Sequence, residues 1–126
     1  SLRDTERVIT ELARFELIKF SGGILRDLVT LTRGAATEAY RAGSPVVEPA
    51  HVKQTALSFG KGLLSSLSDT STKRLHVMLG ANAFNAEFTP TNDLDLQLIL
   101  QRVIIEYSGD SSLYYRLHPT LERLIK

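Results

Sequence analysis

The spacing of apolar residues changes character once along this chain, and that change limits what the chain can fold into. Up to Leu100 the apolar residues recur mainly at intervals of three and four, the period of one face of a helix. At Arg102-Val103-Ile104-Ile105-Glu106-Tyr107 a β-branched run takes over. A turn-like segment, Ser108-Gly109-Asp110-Ser111-Ser112, and a second strand pattern from Leu113 to Leu117 follow it. The expected fold class is mostly α with a C-terminal β-hairpin.

The elements can be placed from caps and breakers. Val8, Leu12 and Phe15, flanked by Ile9 and Ile18, predict a first helix from Asp4 to Phe20, capped by Asp4 or Thr5 and ended by Ser21-Gly22-Gly23. A second helix runs from Ile24 to Ala42, with Leu25, Leu28, Leu31, Ala35, Ala39 and Tyr40 expected to face inward. Its small residues let a neighbouring helix approach closely. Gly43-Ser44-Pro45 stops it, Val46-Val47-Glu48-Pro49 is a short extended link, and Pro49 also suits the first turn of a third helix ending near Leu67. That helix presents Val52, Ala56, Phe59, Leu63 and Leu67, with Gly60 and Gly62 weakening its middle. The polar run Ser68 to Thr72 marks a boundary, giving units 1–68 and 69–126. Leu75, Met78 and Leu79 share one face of a fourth helix. Gly80 to Thr91, which holds Phe84 and Phe88, is expected to be loop with at most one short helix. Thr91 or Asn92 then caps a fifth helix with Asp93 and Asp95 in its first turn. After the hairpin, His118-Pro119 ends the second strand, and Thr120 caps a last short helix with Leu121, Leu124 and Ile125 inward.

Composition narrows the function. The 126 residues suffice for one domain or two small ones sharing a core, and 43% hydrophobic with 23% charged residues argues against a disordered tail. A net charge of +1 gives no bulk drive toward nucleic acid or acidic membranes, and no run approaches the ~20 apolar residues of a membrane helix. Without cysteines there are no disulfides, thiolate nucleophiles or cysteine-held zinc, which fits a reducing cytoplasm. The start, Ser1-Leu2-Arg3-Asp4, has neither an initiator Met nor a signal peptide's apolar core, so the expectation is a piece of a longer polypeptide. His51, His76 and His118 are too scattered for a metal set, and Ser65-Ser66 and Ser111-Ser112 lack a base partner. His51 and His118 are expected to be structural.

Ser21-Gly22-Gly23-Ile24-Leu25-Arg26-Asp27-Leu28 resembles the sensor 2 region of AAA+ ATPases, most closely the branch of origin initiators and related bacterial ATP-binding proteins with C-terminal winged helices. The ordered series continues with Ala35-Ala36, Ala39, Gly43, Val46-Val47, Glu48, His51-Val52 and Ala56, with one extra residue between Glu48 and His51. The stretch from Asn92 to Leu117 is similar to the helix and wing that follow such lids. The resemblance implies a helical lid over 1–68 and a winged-helix-like unit over 69–126. It further implies that Arg26, introduced by Gly22 and Gly23, reaches the γ-phosphate of ATP held with magnesium on an upstream domain of the same chain. Arginine suits that task because it is always charged and can grip phosphate oxygens with two N–H groups. No G-x-x-x-x-G-K-[ST] occurs here, so this segment is not an ATPase alone and holds no cofactor of its own; the parent chain is expected to be the enzyme.

DNA binding is the rival reading, since a winged helix often sets a helix in the major groove. The recognition-helix candidate, Asn92 to Gln101, carries Asp93 and Asp95 and no cation before Arg102, and the hairpin tip carries Asp110. Phosphate contacts dominate such affinity, which makes this a poor DNA face. Lys73, Arg74 and Arg102 are the candidate nucleic-acid contacts. A protein partner or neighbouring subunit is favoured over DNA, and no membrane partner is expected. A purely structural helical interaction module is the third reading, in which Arg26 has no task.

Overall fold

The structure, a computed structural model, describes residues 8–80, 92–110 and 112–125. Among them are five α-helices, a two-stranded antiparallel sheet and a short 3-10 turn: α1 (Glu11–Ser21), α2 (Leu25–Arg41), α3 (Pro49–Ser65), α4 (Asp69–Gly80), α5 (Asp93–Leu100), β1 (Ile104–Ser108), β2 (Leu113–Leu117) and the turn Pro119–Leu121. The chain is thus mostly helical and ends in a small hairpin. No described helix is long and apolar enough to cross a membrane. The expected caps Asp4 and Thr5, and the stretch 81–91 with Phe84 and Phe88, lie outside the described residues.

The first helix starts later than its periodicity predicts. Ile9 pairs in parallel with Val47, and the Thr10 amide donates to the Val47 carbonyl at 3.0 Å, so Ile9 and Thr10 are used as extended backbone. Thr10 then caps α1, its hydroxyl accepting from the Ala13 amide. The helix buries Ala13, Leu17 and Phe20 and leaves Leu12, Phe15 and Ile18 exposed. Two apolar stripes coexist on this helix, and periodicity alone does not choose between them.

A similar correction applies to α2. Leu31, Ala35 and Ala39 are buried as expected, but Leu25 is 74% and Tyr40 86% exposed. The inward stripe steps by four residues through Asp27, Leu31, Ala35 and Ala39, so the first inward position belongs to a carboxylate. The small residues of this face do admit a close neighbour. A side chain at Gly34 would strike the Thr55 methyl of α3 at 2.5 Å.

Among the described residues two apolar clusters form the interior. One joins α1, α2, Val47 and the first half of α3; the other gathers Leu63, Leu75, Met78, Leu98, Val103, Ile104, Tyr115 and Leu121. Helix α3 runs through both, with Val52 and Ala56 in the first, Leu63 in the second, and Phe59 packed against each. Asn92 caps α5 by accepting from the Asp95 amide at 3.0 Å. The hairpin pairs Ile104 with Leu117 and Tyr107 with Tyr114, and these tyrosine rings stack across the strands. After β2, His118 rather than Thr120 supplies the cap, and the segment turns as a 3-10 helix over Pro119–Leu121. The His118 ring nitrogen Nδ1 accepts from the Thr120 amide at 3.3 Å, so Thr120 is the capped residue and not the cap. Leu121 is fully buried, with Leu124 and Ile125 packed partly against the second cluster.

Candidate functional site

The features singled out in the sequence meet at the turn between α1 and α2. Gly22 and Gly23 both have positive φ, 63° and 81°, the left-handed region that a side chain disfavours. Gly22 ends α1, and a Cβ there would lie 2.9 Å from the Tyr107 hydroxyl and 3.0 Å from Ile105. The turn is therefore closed against β1. Tyr107 donates its hydroxyl proton to the Gly22 carbonyl at 2.7 Å. Burial of that phenol raises its pKa, which keeps the donor protonated.

Arg26 and Asp27 sit side by side in the first turn of α2 and point opposite ways. Arg26 is exposed, and among the described residues its guanidinium makes no hydrogen bond or ion pair. Asp27 has no solvent exposure. Its Oδ1 takes a hydrogen bond from Arg102 Nη1 at 2.6 Å, and its Oδ2 lies 3.0 Å from His118 Nε2. Arg102 precedes β1 and His118 follows β2, so one carboxylate grips both feet of the hairpin.

The protonation pattern of His118 follows from its partners. Its Nδ1 faces the Thr120 amide at 3.3 Å and the Thr120 hydroxyl at 2.9 Å. An amide N–H can only donate, so Nδ1 accepts and Nε2 carries the proton given to Asp27. Burial lowers the histidine pKa, opposed by the hydrogen bond and charge of Asp27 and reinforced by the nearby Arg102 cation. The ring is thus neutral and satisfied, with Phe59 packed against it at 5.2 Å. Arg102 itself adopts φ 63°. A left-handed arginine costs about 1–2 kcal/mol, and the bend aims its side chain at Asp27.

The candidate nucleic-acid contacts fall apart spatially into different roles. Arg74 makes a two-pronged bond to Asp95, Nε to Oδ1 at 2.7 Å and Nη2 to Oδ2 at 3.2 Å, tying α4 to α5. Asp95 is fully buried, so of the two first-turn aspartates only Asp93 is exposed. Arg102 is directed to Asp27, and Lys73 stays exposed. His51 Nδ1 accepts from the Glu48 amide at 3.0 Å, a helix-cap contact. Among the described residues no three His, Asp or Glu side chains gather closely enough to hold a metal ion.

Sequence reasoning passed over Asp27, Tyr107 and the partnership of His118 with Arg102. One signal was available. A carboxylate in register with Leu31, Ala35 and Ala39 must find a partner, because an unpaired charge on a core-facing stripe is too costly to bury. Comparison with family models, curated proteins and solved structures gave no match.

Proposed function

We propose that this chain is the C-terminal part of a nucleotide-driven AAA+ type ATPase, with 1–68 its helical lid and 69–126 a winged-helix-like unit. One observation carries the reading. The exposed cation expected at the nucleotide and the buried anion that holds the hairpin are consecutive residues on one helical turn. A phosphate contact that displaced Arg26 would displace Asp27 with it, and through Asp27 the feet of β1 and β2. The lid would then relay nucleotide state to the C-terminal unit, a two-state movement driven by differential affinity for the closed arrangement.

The residues present fit the edge of such a site. Among the described residues Arg26 offers a guanidinium without an internal partner, and nothing lies within 4 Å of a Cβ built at Gly23, just ahead of α2. ATP with magnesium, held by the preceding domain, would supply the phosphate charge that Arg26 answers. The inward direction of Arg74 and Arg102 and the exposed Asp93 favour a protein partner or neighbouring subunit over DNA for the C-terminal unit.

In the longer polypeptide that this reading requires, Arg26→Ala should lower steady-state ATP turnover or nucleotide-dependent assembly about tenfold or more, the loss expected for one charge-assisted contact. Wild-type turnover and assembly in that variant would refute the proposal.

A further inference from the structure

A groove runs between the end of α1, α3 and the C-terminal turn, and Arg26 is not among the residues that line it. Its walls are Phe20 at the end of α1, Leu57 on α3, and Pro119 and Leu124 from the C-terminal turn, and its volume is about 360 Å³. Two cations complete the lining, Lys53 on α3 and Arg123 on the C-terminal turn. Among the described residues no acidic side chain lines it. Among the described residues neither cation has a carboxylate partner, and Pro49–Ser65 contains no Asp or Glu that could neutralise Lys53 along the helix. Glu122, next to Arg123, is exposed outside the groove.

An apolar trough between unpaired cations is unusual on a chain whose net charge is only +1. Cations that merely keep a surface soluble are ordinarily interspersed with acids. Here the two flank apolar surface without one, so a ligand that buries apolar side chains in the trough would also bring its own negative charge near both. We propose that this groove docks a short acidic peptide segment of a partner protein, one that places Leu- or Phe-type side chains against Phe20, Leu57 and Leu124 and carboxylates toward Lys53 and Arg123. The open side favours side chains presented from a peptide backbone, because a long alkyl chain would remain largely in water there. Duplex DNA has no apolar side chain to fill the trough and would engage the cations only. The docking does not depend on Arg26 meeting a nucleotide.

The test uses the 126-residue protein and a fluorescein-labelled peptide in which Leu and Phe alternate with Asp and Glu. Anisotropy should show saturable binding that weakens as salt rises. The same peptide with Asn and Gln in place of the acids should bind roughly tenfold more weakly, the scale of two partly screened ion pairs. The double reversal Lys53→Glu with Arg123→Glu should remove binding of the acidic peptide while leaving the circular dichroism melt unchanged. Leu57→Ser should weaken the acidic and neutral peptides alike. Amide chemical-shift changes should centre on α3 and 119–124. Equal binding of acidic and neutral peptides, no effect of the double reversal, shifts centred elsewhere, or tighter binding of duplex DNA than of the peptide at the same salt would each overturn the proposal.

Discussion

Asp27 and Arg26 show how far one residue can differ from its neighbour on the same turn. Asp27 is buried, with Arg102 on one oxygen and His118 on the other, whereas Arg26 stands in solvent. Removing one member of a buried ionic group leaves the others without compensation, which costs more than the group contributes when intact. Asp27→Ala should therefore destabilise the fold by about 2–4 kcal/mol; Arg102 is partly exposed and can turn to water, which holds the loss toward the lower part of that range. Arg26→Ala, an exposed change, should move stability by less than about 0.5 kcal/mol. Urea unfolding of the two variants at neutral pH checks the contrast. Similar losses from both would mean that Arg26 has an internal partner that its exposed position does not suggest.

At the scale of elements, α3 carries the most contrasting pair of positions. A Cβ at Gly60 would meet the Thr120 carbonyl at 2.7 Å and Leu124 at 2.8 Å, while none of the described residues comes within 4 Å of a Cβ at Gly62. Gly60 lets the C-terminal turn lie against the helix backbone; Gly62 only weakens the helix. Gly60→Ala should thus lower stability by about 1–3 kcal/mol through overpacking, and Gly62→Ala should raise it by about 0.5–1 kcal/mol through helix propensity. Thermal melts of the two variants should move in opposite directions. Sequence alone treated both glycines as helix weakeners, because propensity is local and Thr120 lies far along the chain. The same limit explains the rest of what was and was not legible. Helix ends at Gly22, Gly43 and Asn92 are written in local chemistry, and so is the change to strands near Ile104. Which stripe of α1 faces inward depends on α2 and α3, and where Asp27 finds its partners depends on residues that follow it by 75 and 91 positions. Arg26 follows a glycine turn that is plain in the local sequence, whereas nothing local to Asp27 names the hairpin residues that it holds.

For the molecule as a whole, the joint among Asp27, Arg102 and His118 makes stability depend on pH. Folding places His118 between a burial that disfavours its charged form and a carboxylate that favours it, and burial dominates, so the folded pKa lies below the ordinary value. A lowered folded pKa means that the unfolded chain binds the proton first. Stability from the neutral ring is then fully present above about pH 6.5, the unfolded histidine value, and declines as pH falls below it. Of the charges that face the ring, Asp27 from α2 opposes this direction, while Arg102, from the segment before β1, adds to the effect of burial by resisting a second cation. A proton on Nδ1 would also confront the Thr120 amide, taking away the acceptor that caps the C-terminal turn. Between about pH 6.5 and 5.5 the unfolding free energy should decrease by up to about 1 kcal/mol per pH unit. His118→Gln should start less stable at neutral pH and show a flatter profile over the same interval. Urea midpoints measured across that interval decide the point, since a wild-type profile as flat as the variant's would mean that His118 takes its proton without opposing the fold.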